Sequence, residues 1–209
     1  MGLMKKIFNN TRKPIGFLGG MMLQSMNRGH ASVSDWGLSK LPGSARYAAI
    51  ADLGCGGGRN ASRLLELYPD AALTAMDYSE ASVEKTRKIN ARAIEQGRCH
   101  VLQGDVSELP FPEEIFDLVT AFETIYFWPG LVGCFRQILQ IQKPGGTFLI
   151  VNESDGLNPA DQKWVDLIDG MTVYNKDQLR EMLLEAGFAS VEIHHDPGRH
   201  WLCVIGRKA

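Results

Sequence analysis

The glycine-rich segment at residues 52–58, which reads Asp-Leu-Gly-Cys-Gly-Gly-Gly, is the pattern in this sequence best suited to binding a ligand. Glycine allows the backbone to approach a ligand closely because a side chain would collide with it, and a helix that begins there directs N–H groups toward the ligand. Dinucleotide-binding folds have a third glycine at the sixth position, where this sequence has Arg59. The segment therefore predicts a nucleotide or nucleoside ligand and argues against a dinucleotide.

Two aspartates follow the next two predicted strands. Asp77 lies 23 residues after Gly54, where its carboxylate can accept hydrogen bonds from both ribose hydroxyls, or can stabilise the N-terminus of the next helix. Asp105 can accept a hydrogen bond from an adenine amino group while the Val106 N–H binds a ring nitrogen, or can form an Asx turn. Three strand ends that converge on one ligand predict a nucleoside site.

From about residue 47, short apolar runs alternate with helical patterns, which is typical of βαβ units. Asn175 and Gln178 have the spacing of a capping box, and the turn at residues 196–198 predicts a hairpin between the last two strands. A turn is also expected at residues 143–146. Strands are expected over residues 47–53, 71–76, 100–103, 116–122, 147–151, 191–195 and 201–205, and helices over residues 60–68, 79–96, 131–141 and 175–185.

Five segments, at residues 52–58, 75–77, 104–106, 116–119 and 143–146, together resemble the class I S-adenosylmethionine-dependent methyltransferases in order and spacing. The resemblance implies an α/β fold with a three-layer, Rossmann-like, seven-stranded sheet, mostly parallel with an antiparallel last strand. It also implies S-adenosylmethionine as the cofactor, held above the carboxyl ends of the first three strands. This donor has no pyrophosphate, which is consistent with the missing third glycine. The expected donor-binding residues are Asp52, Gly54, Cys55, Gly56, Asp77, Tyr78, Gly104, Asp105, Val106 and Phe122.

The resemblance places the donor-binding methyltransferase domain at residues 47–209. Residues 153–173 interrupt the strand and helix pattern and are expected to form an insertion over the edge of the sheet. Residues 1–46 lack strand periodicity and are expected to form a helical cap that belongs to the same domain. In this cap Met22 and Met26 lie at i and i+4, where thioethers commonly fill irregular gaps.

Methyl transfer is an in-line displacement, so the protein must align the reactants and sometimes remove a proton. Glu123, after the fourth strand, can pair with an acceptor amine, act as a base or bind the donor's ammonium group; otherwise it is a charge at a helix start. Tyr126 and Trp128 offer flat walls, or belong to the core. The unperturbed pKa of a histidine side chain would suit His30 to act as a base, although a lone histidine is more often structural. Glu123, His30 and Tyr126 are the predicted catalytic residues.

Composition limits the partners and the location. The net charge of −2 and a pI near 6.2 give no basic surface for nucleic acid, and no run approaches the roughly 20 apolar residues of a membrane span. No signal peptide is expected, and the four cysteines are expected to be reduced thiols in a cytoplasmic protein. No metal is expected. His194, His195 and His200 are the one candidate set, but adjacent residues of a strand point to opposite faces.

The sequence thus predicts a methyltransferase that acts on a small-molecule acceptor, as a monomer or a homodimer. One alternative is a donor-binding protein without transfer activity that engages a protein partner. Another is a nicotinamide-dependent oxidoreductase, which shares the sheet but is expected to have the third glycine. The sequence does not identify the acceptor atom, since one fold supports methylation of several elements.

Overall fold

The computed structural model describes residues 29–209, so Met22 and Met26 lie outside the described residues. Its helices are α1 (Ala31–Leu38), α2 (Arg59–Leu67), α3 (Glu80–Ile89), α4 (Ala91–Glu95), α5 (Leu131–Ile141), α6 (Asp161–Leu167) and α7 (Lys176–Ala186), with a short 3-10 helix at Ile125–Phe127. Its strands are β1 (Ala49–Leu53), β2 (Ala72–Asp77), β3 (Cys99–Gln103), β4 (Phe116–Phe122), β5 (Gln142–Asn152), β6 (Ser190–Asp196) and β7 (Trp201–Arg207). No helix in the described part of the chain is long and apolar enough to cross a membrane.

The strands form one seven-stranded sheet in the order β3-β2-β1-β4-β5-β7-β6. Strands β1 to β5 pair in parallel, and β7 lies antiparallel between β5 and β6. The predicted fold is therefore confirmed, including the reversed last strand. The chain order changes direction between β1 and β4, which is where ligands bind in open sheets of this kind.

Apolar side chains alternate between the two faces of the central strands. Ile50 and Leu118 pack with α1 and α2 on one face, whereas Val119 and Phe148 pack with α5 and α7 on the other. The sheet is therefore buried on both sides, which explains the near-continuous apolar run of β4. Two helical layers enclose the sheet and leave the strand ends available for a site.

The single helix predicted over residues 79–96 is wrong, because the helix is interrupted at Asn90 between α3 and α4. The Asn90 side chain donates hydrogen bonds to the carbonyl oxygens of Gly58 at 3.0 Å and Thr86 at 3.1 Å. The residue thus ties the helix to the end of the glycine segment. A contact between residues so far apart in sequence leaves no periodic signal.

The expected turn at residues 143–146 is part of β5, where it forms an irregularity in the sheet. Phe116 pairs with Gln142 but Leu118 pairs with Thr147, so the register with β4 shifts there. The shift is stabilised by Lys143, whose Nζ lies 2.8 Å from Asp117 Oδ1. Strand β5 therefore begins earlier than the sequence predicted.

The capping box and the hairpin are confirmed. Asn175 and Gln178 make both reciprocal hydrogen bonds, and Gly187 ends α7 in the left-handed conformation with a φ of 109°. Within residues 153–173, helix α6 forms, and the Thr172 N–H donates to the Tyr126 carbonyl oxygen at 2.9 Å. This segment therefore lies against the loop that follows β4.

We predict that Gly37→Ala destabilises the protein by about 1–3 kcal/mol, because overpacking in a core has costs of this size. A Cβ at Gly37 in α1 would lie 2.3 Å from Cγ2 of Val151, which is fully buried in β5. Gly133→Ala is a matched control in α5, where a Cβ would meet nothing within 4 Å. It should leave stability unchanged or raise it by about 0.5–1 kcal/mol. Urea denaturation measures both changes, and equal effects would contradict the packing of α1 on β5.

Candidate active site

A cavity of about 240 Å³ lies at the carboxyl ends of the parallel strands, beside the point where the strand order reverses. Arg59, at the start of α2, also borders it. The structure brings together nine of the ten predicted donor-binding residues in its wall, namely Gly54, Cys55, Gly56, Asp77, Tyr78, Gly104, Asp105, Val106 and Phe122.

The glycine segment forms a tight turn that requires glycine at two places for different reasons. Gly54 has a φ of 74°, and a Cβ there would lie 2.1 Å from Oγ1 of Thr124. Gly56 has a φ of 52°, but a Cβ there would meet no protein atom within 4 Å. The Gly54 N–H donates to the Met76 carbonyl oxygen at 2.8 Å, which ties the turn to β2. Gly54 therefore allows close contact within the protein, whereas Gly56 leaves an open backbone surface in the cavity.

Asp77 is fixed at the end of β2 by two backbone donors. Its Oδ2 accepts from the Gly56 N–H and its Oδ1 from the Ser79 N–H, each at 2.9 Å. Burial raises the pKa of Asp77 above its ordinary value, while these hydrogen bonds act in the opposite direction. Asp77 therefore both supports the start of α3 and lines the cavity, so the two predicted roles are compatible.

Asp105 forms the Asx turn that was one of its two predicted roles. Its Oδ1 accepts from the Ser107 hydroxyl at 2.6 Å and the Ser107 N–H at 2.8 Å. These hydrogen bonds lower the pKa of the Asp105 carboxyl group. Asp105 and Val106 nevertheless border the cavity, so the turn orients this part of its wall.

The prediction that Asp52 belongs to the donor site needs correction, because Asp52 does not line the cavity. Asp52 is 1% exposed, and it lies opposite Thr120 on the neighbouring strand, whose hydroxyl donates to its Oδ1 at 2.8 Å. Burial raises the pKa of Asp52 to about 7, and the charge of Asp77 adds to the rise. The Asp52 side chain thus links β1 to β4 within the buried sheet and does not reach the cavity.

Glu123 follows β4 with a left-handed backbone, its φ being 56°. Its N–H donates to the Val151 carbonyl oxygen at 2.9 Å. Its Oε1 accepts from the Glu153 N–H, and its Oε2 accepts from the Tyr126 hydroxyl at 3.3 Å. His30 lies on the same side, with its Nε2 3.3 Å from Glu153 Oε1. The structure therefore groups His30 and Glu123, which line the cavity, with Glu153, which sequence reasoning missed.

The three ionisable groups shift one another's pKa values. Burial raises the pKa of Glu123 to about 8; the charge of His30 opposes the rise and that of Glu153 adds to it. The hydrogen bond from His30 lowers the pKa of Glu153. Burial acts to lower the pKa of His30, but its hydrogen bond to Glu153 and the nearby charges outweigh burial and raise it. The protonation of each group therefore depends on the charge of the other two.

Tyr126 does not form a cavity wall, so this prediction is also corrected. Tyr126 is 4% exposed, and its hydroxyl accepts from the Ser154 N–H at 3.3 Å while donating to Glu123. The 3-10 turn after β4 directs its ring into the protein. Tyr126 therefore positions the Glu123 carboxylate. Trp128, by contrast, borders the cavity.

The adjacent histidines of the β6–β7 hairpin, His194 and His195, contact different partners, as strand alternation predicts. His194 Nε2 lies 2.9 Å from Glu192 Oε1. His195 Nε2 and His200 Nδ1 lie 2.8 and 3.1 Å from the same oxygen, Oδ2 of Asp155. These contacts join the hairpin to the segment that follows β5.

Residues 51–150 match the family model described as a methyltransferase domain. The O-methyltransferase cnsE of Penicillium expansum is 28% identical over 148 residues, which cover 69% of this chain and 53% of the relative. The 27-O-demethylrifamycin SV methyltransferase of Amycolatopsis mediterranei is 30% identical over 144 residues, which cover 66% of this chain and 53% of the relative. Residues 51–150 thus belong to the methyltransferase domain family, and this supports the resemblance to the class I S-adenosylmethionine-dependent methyltransferases.

The methyltransferase fold extends over most of the described chain. A chain from the complex of the Haloferax volcanii Trm112 methyltransferase activator superposes with a TM-score of 0.80 at 21% identity, covering 90% of this chain and 93% of that chain. The sequence matches cover a smaller share of this chain, 69% and 66%. The chain spans about half the length of these two relatives, since the matches cover 53% of each. The fold is therefore shared more widely than the sequence.

The cofactor of this methyltransferase is S-adenosylmethionine, as predicted. The cavity fits such a ligand, because the open surface at Gly56 lets it lie directly on the backbone. Residues that follow β1, β2 and β3 meet in the same wall, which suits an elongated nucleoside. The glycine segment lacks the third glycine of dinucleotide-binding folds, so it gives no reason to expect a ligand with a pyrophosphate in this cavity.

We predict that Asp52→Asn changes how stability depends on pH. Folded Asp52 has a pKa of about 7 against an ordinary 3.8, so between these values the unfolded chain releases a proton that the folded protein retains. The wild-type free energy of unfolding therefore falls by on the order of 3 kcal/mol between pH 5 and pH 8. Asparagine cannot ionise, so the variant should gain stability relative to wild type between pH 5 and pH 8.

Urea denaturation at pH 5 and pH 8 measures this difference. Asp117→Asn is the control, because Asp117 also accepts backbone N–H groups but has a lowered pKa. Asp117 is thus ionised in both states across this range, and its variant should differ from wild type by the same amount at both pH values. A constant difference for Asp52→Asn as well would contradict the account of Asp52.

Proposed function

We propose that this protein transfers the methyl group of S-adenosylmethionine to a small-molecule acceptor with a protic nucleophile. The observation that carries the proposal is that one cavity is bordered by the glycine turn and Asp77 and also by Glu123 and His30. A donor on the first surface would have its reacting end beside the second. The names of the two relatives, an O-methyltransferase and a demethylrifamycin methyltransferase, support a hydroxyl acceptor.

Donor binding rests on three parts of the cavity wall. Asp77 accepts hydrogen bonds from the ribose hydroxyls, since its carboxylate is already oriented by two backbone donors. Gly56 lies beside the methionine moiety, where its open backbone surface leaves room. Asp105 and the Val106 N–H contact the adenine, which their position in the wall after β3 supports. In this arrangement the donor extends across the ends of three strands.

When bound, S-adenosylmethionine supplies an electrophilic methyl group, which bonds to the acceptor's lone pair as the carbon–sulfur bond breaks. The protein has to align the acceptor and allow its proton to leave. Glu123 and His30 line the cavity, and the Glu123 carboxylate, whose pKa is raised to about 8, can accept the proton of the nucleophile when it is ionised. The Tyr126 hydroxyl and the Glu153 N–H donate hydrogen bonds to the Glu123 carboxylate and hold it in position.

A donor-binding protein without transfer activity is the alternative. The superposition on a chain from the Trm112 activator complex makes a protein partner relevant to it. The carboxylate and imidazole at the cavity favour catalysis, because donor binding alone does not need them. We also propose a cytoplasmic monomer or homodimer without nucleic-acid partners. All four cysteines lie in the described residues, buried and without disulfides, which supports that location.

We predict that Asp77→Ala weakens binding of the demethylated donor, S-adenosylhomocysteine, by roughly 10–100-fold. Lost hydrogen bonds to a charged group account for about 1.5–3 kcal/mol. Isothermal titration calorimetry measures the affinity. Asp117→Ala removes a carboxylate that also orders backbone N–H groups but lies outside the cavity, so it should bind as wild type. Equal affinity of Asp77→Ala and wild type would exclude the ribose contact.

We predict that Glu123→Gln lowers methyl transfer by at least about 100-fold, the lower range for loss of general acid–base catalysis. Donor binding should change little, since the amide keeps the shape of the side chain. The assay offers labelled donor with hydroxyl, amine, thiol and carboxylate acceptors. Glu192→Gln, an exposed glutamate beside His194, is the matched control. Donor binding by wild type without any methylated product would favour the alternative function.

A further inference from the structure

His30, Glu123 and Glu153 come from three separate elements and meet at one place. His30 precedes α1, Glu123 follows β4 and Glu153 follows β5. One potential ligand atom from each residue lies within 4.8 Å of the other two. Imidazole and carboxylate groups converging from distant parts of the chain have the composition of a metal site.

The spacing of the cluster suits a divalent cation. Nε2 of His30 lies 3.3 Å from Oε1 of Glu153. Ligands at about 2.1 Å from an octahedral or tetrahedral ion are separated by about 3.0–3.4 Å. The Glu123 ligand atom lies within 4.8 Å of both, so all three residues could reach one cation after an adjustment of their side chains.

The supporting contacts orient the carboxylate toward a shared point. Glu123 receives hydrogen bonds from the Tyr126 hydroxyl and from the Glu153 N–H. Metal-binding carboxylates are commonly held by hydrogen bonds of this kind, which fix their direction. Each oxygen still has a second lone pair for a ligand.

The charge of the cluster also suits a cation. Two carboxylates lie beside one imidazole, and within residues 29–209 the ion-pair partner of Glu153 is His30. Metal binding displaces the protons that Glu123 and His30 hold, because ligating carboxylates and imidazoles must be deprotonated. A divalent cation would then compensate the two negative charges. Three protein ligands would also leave positions for an acceptor.

We propose that His30, Glu123 and Glu153 bind one divalent cation of the Mn²⁺, Fe²⁺ or Zn²⁺ class, and that the acceptor's hydroxyl oxygen coordinates it. Coordination of the acceptor's hydroxyl rests on the proposed function, whereas binding of the cation does not. A coordinated hydroxyl loses its proton to water more readily. Its oxygen would then form a bond to the methyl carbon as the carbon–sulfur bond of the donor breaks. The sequence analysis expected no metal in this protein, and this proposal departs from that expectation; the cluster does not include the hairpin histidines.

The test is a titration of the chelator-treated full-length protein with Mn²⁺, followed by electron paramagnetic resonance of the unbound ion. Wild type should bind one equivalent. Glu153→Gln and His30→Ala should each weaken binding at least tenfold. Glu192→Gln is the matched control, since it removes a carboxylate from another histidine–glutamate pair and should bind as wild type. Binding of S-adenosylhomocysteine by each variant verifies that its fold is intact.

Absence of Mn²⁺ binding to wild type, or equal binding by the folded Glu153→Gln and His30→Ala variants, would overturn the metal site. Full methyl transfer by metal-free protein would overturn the role of the cation in catalysis while leaving the proposed function intact. Stoichiometric Mn²⁺ binding that depends on His30 and Glu153, without methylation of any acceptor, would support the metal site and contradict the proposed function.

Discussion

The close approach of Gly54 to Thr124 is the contact on which the site depends. It joins the turn after β1 to the loop after β4, and no side chain fits between them, since a Cβ on Gly54 would lie 2.1 Å from the threonine hydroxyl oxygen. Thr124 also accepts a hydrogen bond from Trp128 Nε1 at 3.2 Å. The proposed donor surface and the proposed acceptor surface therefore share one junction at the reversal of strand order.

The proposed acceptor side of the cavity is assembled from elements that meet only in the folded protein. Strands β4 and β5 are parallel neighbours, so Glu123 and Glu153 emerge at the same edge of the sheet. His30 reaches them because α1 packs on β5 through Gly37, against Val151. The same packing that stabilises the N-terminal helix thus positions an imidazole beside two carboxylates.

The features that sequence analysis predicted well are local ones. The glycine turn and Asp77 have recognisable spacing, and the capping box at Asn175 involves only neighbours in the chain. Glu153 could have been found by the reasoning that found Glu123, because both follow parallel strands. Asp52 and Tyr126 were misplaced, since their side-chain directions depend on a cross-strand partner and on a 3-10 turn that periodicity does not specify.

A crystal structure with S-adenosylhomocysteine bound tests the central claim most directly. We expect adenosine density across the cavity, with the ribose hydroxyls on Asp77 and the adenine beside Val106. The sulfur should point toward Glu123 and His30. Density with the sulfur directed away from these two residues, or a ligand bound outside this cavity, would contradict the account.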